Sequence, residues 1–423
     1  MIITNLKIIS LSSKVEIYYL LLLIWKKMRY SFENSALREK TNAEKYTLRE
    51  ELFGTNDVMP VWVADMDIDT PDFVLDAVAE RLKHPIMGYE EVPSTAFEAQ
   101  IEWMKKEHGV SLELDDILYS HSVVASMSVA IEAFSEIGDK VIVQTPVYPP
   151  FFHSVLNSKR ELLKNPLKQL ESGSYTFDID DLKSKIDENT KLLLLCSPHN
   201  PVGRVWRKDE LEDILKLCLE HNIVVFSDEV HSDLVYKDHK HIPFASLSDE
   251  ARKITVTAIG VGKTFNMAGF AISSVAIPNA NLKKRFKEVY NRIHFAQGST
   301  LSHVAFESAY RNGKEWVQEL KNHLYKNYEM LEELCVKYPQ YIKLTPIEAT
   351  YLAWLDCRGM QLRDKKLREF FIKEAKLGLN AGISFGREGS GFMRLNFAVS
   401  TTQMHEVIKR LDEALSLKCQ NKL

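Results

Sequence analysis

From about Pro71 to Ala276, short apolar runs alternate with amphipathic stretches at helical spacing. No other feature constrains the fold as much. A strand that is apolar on both faces has to be covered by helices on both sides, and chains meet that need with βαβ units and a mainly parallel sheet. The runs are Lys140–Gln144, Lys191–Cys196, Ile223–Ser227, Ile254–Ala258 and Ala271–Ala276. Between the second and third, Lys208–Glu220 repeats its apolar residues at helical spacing and reads as a crossover helix.

At 423 residues the chain exceeds one ordinary core. After Ala276 the pattern turns mostly helical through Glu315–Tyr338, then offers strand-like runs at Thr350–Asp356 and Phe392–Phe397. We therefore expect a large α/β domain over residues 71–309 and a smaller, discontinuous α+β domain from residues 28–70 and 310–423. Residues 1–27 read as an extension outside the core. Their apolar run Ile17–Trp25 is too short to span a bilayer, and Lys26 and Lys27 follow it without the small-residue cleavage site of a signal peptide.

A net charge of -4 gives no basic face for nucleic acid, which leaves small-molecule chemistry as the expectation, with no membrane span. The five cysteines are scattered and odd in number, without a CxxC pair, so neither a disulfide framework nor a metal site is expected and a reducing cytoplasm fits. Cys196, at the end of an apolar run, reads as a small buried hydrophobe.

Several strand ends are polar where the runs themselves are not: Thr145–Phe151, Cys196–Arg204, Val225–His231 and Ala258–Asn266. In open parallel sheets, ligands bind outside the carboxyl ends of strands, so these segments face one site. Taken singly, Asp228 reads as a cap and Lys263 as a surface charge. Together they offer an amine, a carboxylate, an amide and an aromatic face, the set that a pyridoxal ring uses.

On Asn200-Pro201-Val202-Gly203, Asp228-Glu229-Val230-His231 and Lys263, the chain resembles fold-type I pyridoxal-phosphate enzymes of the class I/II aminotransferase superfamily, from about Phe32 to the C-terminus. Through Met59–Asp67, Met87-Gly88-Tyr89, Pro146-Val147-Tyr148, Asp228–Asp233 and Lys263-Thr264-Phe265-Asn266 it is most similar to the MalY/PatB group of cystathionine β-lyases. The resemblance implies an α/β large domain with a mainly parallel, seven-stranded-type sheet and pyridoxal 5'-phosphate held as an imine on Lys263. It further implies that Lys263 moves the Cα proton, Asp228 keeps the ring nitrogen protonated, Asn200 bonds the phenolic oxygen and Tyr148 stacks on the ring. Ser122 and Val123 would present helix N-terminal amides to the phosphate, and Tyr89 would reach the phosphate across a homodimer interface. Arg394 would grip the substrate α-carboxylate, with Trp62, Ala64 and Asp65 at the substrate entrance. His231 either orients Asp228 or is a structural histidine.

The chain departs from the family pattern just before the lysine, where relatives carry serines and it has Gly260 and Gly262; Thr257 or Thr264 is the available compensation. The implied reaction is β-elimination from cystathionine or a related S-substituted cysteine, giving pyruvate, ammonia and a thiol. The same residues permit transamination, and a third reading is a cofactor-binding regulatory partner. No helix-turn-helix module is appended, which argues against direct gene regulation.

Overall fold

The computed structural model describes residues 30–293 and 298–420, so the expected extension over residues 1–27 lies outside the described residues. Among the described residues, seven strands form the main sheet: β1 (Ile117–Ser120), β2 (Lys140–Thr145), β3 (Glu161–Pro166), β4 (Thr190–Cys196), β5 (Val224–Asp228), β6 (Thr255–Ile259) and β7 (Ser273–Ala276). Their order is β1-β7-β6-β5-β4-β2-β3. The five from β6 to β3 run parallel, and β7 pairs antiparallel with both β6 and β1.

Alternate residues of the central strands serve opposite faces. Val141, Val143, Leu192, Leu194 and Phe226 pack against Met127, Ala130 and Ile131 of helix α1 (Val123–Phe134). Ile142, Leu193, Leu195 and Val225 pack against Leu211, Ile214 and Leu215 of helix α2 (Lys208–Glu220). Each such side chain contributes about 1.5–3 kcal/mol on burial, which is why these strands read as unbroken apolar runs.

Two features differ from the expectation. The edge strands β1 and β3 were not among the expected runs: β1 is short, and β3 alternates exposed and buried positions in Glu161-Leu162-Leu163-Lys164-Asn165. The expected strand at Ala271–Ala276 forms, over Ser273–Ala276, but it returns antiparallel. The connection Gly260–Ile272 holds only the single turn Val261–Thr264 and a short turn at Ala268–Phe270, not the crossover helix of a parallel return.

A second sheet is antiparallel and contains β8 (Lys343–Leu344), β9 (Leu352–Asp356), β10 (Asn380–Ala381) and β11 (Phe392–Asn396), in the order β8-β9-β11-β10. Helices α3 (Lys314–Lys337) and α4 (Thr401–Cys419) contribute Leu324, Leu331, Val407 and Leu411 to the core that covers it. Met59–Pro60 pairs with Leu377–Gly378, and the chain after it, Val61–Ile68, crosses toward the main sheet. No helix among the described residues is long and apolar enough to cross a membrane.

Candidate active site

Four strand ends converge on one crevice. β2 runs out into the segment carrying Tyr148, β4 into the loop carrying Asn200, β5 ends on Asp228, and β6 hands over at Gly260 to the turn that carries Lys263. Parallel strands point their carboxyl ends one way, so these residues line a single cavity of about 220 Å³ with His231 and Ala64. Ser122 and Val123 line it too, at the start of α1, where Ser122 Oγ accepts from Ala125 N at 3.2 Å and caps the helix. The first amides of α1 have no intrahelical acceptor and, with the helix dipole behind them, suit an anion.

The electrostatics are unusual for so small a space. Burial pushes Asp228 up to about 7; its carboxylate accepts from Val230 N at 3.2 Å, and Lys263 opposes the shift only in part. Desolvation brings the Lys263 amine down to about 8, with Arg394 adding to the shift and Asp65 and Asp228 opposing it. Lys263 Nζ donates to Ala64 O at 2.5 Å, and Tyr351 OH donates to the same oxygen at 2.8 Å.

Arg394, on β11, is 3% exposed. Its guanidinium donates to Asn200 Oδ1 at 3.0 Å, Trp62 O at 2.8 Å and Asn380 Oδ1 at 2.7 Å, and lies over the Phe385 ring. All three acceptors are neutral. Among the described residues no carboxylate pairs with it, and burial lowers its pKa to about 10. Because Asn200 Oδ1 accepts from Arg394, the Asn200 amide presents its NH₂ as a donor.

The structure thus brings Lys263, Asp228, Asn200, Tyr148, His231, Ala64, Ser122 and Val123 to one cavity, with Arg394 joined through Asn200. Trp62 contributes its backbone oxygen to Arg394, while its indole donates to Lys45 O at 3.2 Å. Asp65 departs from the expected place at the entrance. Its carboxylate is drawn into ion pairs with Arg38 at 2.7 Å and Lys45 at 3.0 Å, and it does not line the cavity. His231 does not orient Asp228: no hydrogen bond joins them, and burial beside Lys263 and Arg394 lowers its imidazole to about 3, so the ring is neutral. Thr264 does not replace the missing serines, because its hydroxyl donates to Asp233 Oδ2 at 2.8 Å. Tyr89 is fully exposed on this chain. Asn380 and Tyr351 escaped the sequence reading, since only the tertiary fold brings them to Arg394 and Ala64, and no local pattern marks them.

The model of the family Aminotransferase class I and II matches residues 56–411, and the chain belongs to that family. Cystathionine beta-lyase PatB of Bacillus subtilis (strain 168) is 39% identical over 91% of this chain and 100% of its own length. A PLP-bound putative aminotransferase from Clostridium difficile 630 superposes with a TM-score of 0.89 at 37% identity, covering 91% of this chain and 100% of that one. The PLP-bound C-S lyase from Staphylococcus hominis gives a TM-score of 0.84 at 32% identity, covering 91% and 98%.

The cavity fits pyridoxal phosphate on its own chemistry: an amine with lowered basicity, a buried carboxylate without a directly bonded cation, and a helix N-terminus. At the two glycines before the lysine, a Cβ at Gly262 would meet Ala268 only at 3.5 Å or more, an ordinary contact, whereas at Gly260 it would press Ser273 Cβ at 3.2 Å. Gly262→Ser is therefore expected to add a hydroxyl at the cavity wall and tighten cofactor binding by up to about 1 kcal/mol, roughly fivefold, in equilibrium titration of the apoprotein. Weaker binding would show that the glycine makes room for the phosphate.

Proposed function

We propose that this protein binds pyridoxal 5'-phosphate on Lys263 and cleaves the Cβ–S bond of cystathionine or a related S-substituted L-cysteine, yielding pyruvate, ammonia and a thiol. The observation that carries the amino-acid reading is Arg394. A buried guanidinium bonded only to neutral oxygens calls for an anion, and its fork matches a substrate α-carboxylate beside the Lys263 amine. The likeness to cystathionine beta-lyase PatB and to a C-S lyase supports β-elimination as the outcome.

Bound pyridoxal phosphate supplies an electron sink for the pair released at Cα. The protein's residues do the rest. Asp228, held in a dry pocket, stays ionised once a cationic ring N–H is its partner and keeps that proton in place. Asn200, its orientation fixed by Arg394, would offer its NH₂ to the phenolic oxygen. Tyr148, which lines the cavity, would lie against the ring, and Ser122 and Val123, at the start of α1, would hold the phosphate. Lys263, whose lowered basicity leaves part of the amine neutral near physiological pH, accepts the Cα proton. Aldehyde capture by the apoprotein needs the same neutral amine. Its rate is expected to fall about tenfold per pH unit below about 8 and to level off above, and a flat profile would contradict the assignment.

Tyr89 stands free of its own chain's core, and we read it as reaching the phosphate of a second copy in a homodimer. Mixing inactive Lys263→Ala and Tyr89→Ala proteins should then regenerate activity in the heterodimers. We assign the reaction to the cytoplasm, a reading supported by five free cysteines, four of them buried. A second reading, transamination, draws on the similarity to a PLP-bound putative aminotransferase and would require a keto acid for turnover.

A further inference from the structure

Behind the Lys263 turn, on the side away from the cavity, lies a shielded carboxylate that the proposed chemistry does not use. Asp233 Oδ1 accepts from Trp103 Nε1 at 2.8 Å and pairs with His108 Nε2 at 2.7 Å; Asp233 Oδ2 accepts from Thr264 Oγ1 at 2.8 Å. Its side chain is 8% exposed and that of His108 6%. His108 is raised above its ordinary range by this contact, against the pull of burial, and Asp233 is lowered by its donors, likewise against burial, so each favours the charged form of the other. Asp233 is thereby fixed on one oxygen and presents the other to the residue that follows the lysine.

The rest of the turn is gripped as firmly. Phe265 is fully buried and packs edge-on against Trp103, the same indole that donates to Asp233. Asn266, in the left-handed region at φ 52°, accepts from Met66 N at 3.0 Å and donates to Met66 O at 3.0 Å and Ile68 O at 2.6 Å. That ties the turn to the same chain segment whose Ala64 carbonyl receives Lys263 Nζ. The lysine is held from above by the Ala64–Ile68 segment and its turn from below by Asp233.

We infer that Asp233 is a positioning residue for Lys263: through the Thr264 hydroxyl it sets the turn so that the amine is delivered to Ala64 O beside Asp228, shielded from water. The inference rests on Lys263 being the working amine, but it can be read on the amine without cofactor. The charged groups that act on Lys263 are Arg394, Asp65, Asp228 and Lys45, and none belongs to this network, so the network affects the amine through placement.

The test uses isosteric Thr264→Val, which deletes the hydroxyl, with Thr264→Ser as the rescue. Reductive methylation of the apoprotein by formaldehyde, read at Lys263 by peptide mass spectrometry across pH, reports the amine's midpoint directly. The expected result for Thr264→Val is a midpoint raised by about 0.5 to 1 unit from about 8, toward the ordinary lysine value, with Thr264→Ser staying at the native midpoint. A lower melting temperature with an unmoved midpoint would overturn the inference and leave Asp233 a structural brace. Should Thr264→Val fail to fold, Thr264→Ala is read the same way. A native midpoint near that of free lysine would instead overturn the proposed role of Lys263.

Discussion

Lys263→Ala is expected to lose β-elimination by about four orders of magnitude, the upper end for a proton-transfer group, while the apoprotein folds as before. The catalytic loss follows from position: among the described residues no other amine lines the cavity. The fold is spared because the lysine contributes one hydrogen bond, to Ala64 O, and that carbonyl keeps the Tyr351 hydroxyl as a donor. Removing a desolvated amine beside Arg394 and Lys45 also relieves repulsion. Melting of the apoprotein should stay within about 1 kcal/mol of the native chain, and pyruvate release should vanish together with the absorbance of bound cofactor. Retained turnover would place the imine elsewhere.

The second large effect is expected at Arg394. Arg394→Lys keeps a cation but loses the planar fork. A single ammonium cannot serve Asn200, Trp62 O and Asn380 together and still bind a carboxylate with two bonds. We expect kcat/KM for an S-substituted cysteine to fall by about 2–3 kcal/mol, roughly 30- to 150-fold, most of it in KM. Arg394→Ala should cost more, because Asn200 loses the donor that orients its amide. Substrate amides lacking the α-carboxylate should discriminate little between native and variant enzymes. Equal losses for acid and amide would mean that Arg394 supports the cavity and not the substrate.

The parts of this molecule that could be read in the sequence are those where one local pattern carries the information. The central strands read clearly because burial on both faces makes them continuously apolar, as in Leu192–Leu195, and α2 because its apolar stripe repeats with the helix period. The edge strands β1 and β3 did not, since half-exposed positions such as Glu161 and Lys164 dilute the pattern. Lys263, Asp228, Asn200 and Tyr148 stood out because polar residues at strand ends share one direction in a parallel sheet. Asp65 misled for a physical reason: its sequence neighbourhood leads to the cavity, but Arg38 and Lys45 draw its carboxylate away. Thr264 likewise sits beside the lysine yet turns its hydroxyl to Asp233. Asn380 reaches Arg394 only through the β10–β11 pairing, a contact no local motif encodes.

The most direct test is to incubate the purified protein, loaded with pyridoxal phosphate, with L-cystathionine and no keto acid, while following pyruvate and thiol together. Both should appear in equal amounts over many turnovers, and neither should form with Lys263→Ala. Consumption of the amino acid only when a keto acid is supplied, without free thiol, would contradict it and make the protein an aminotransferase.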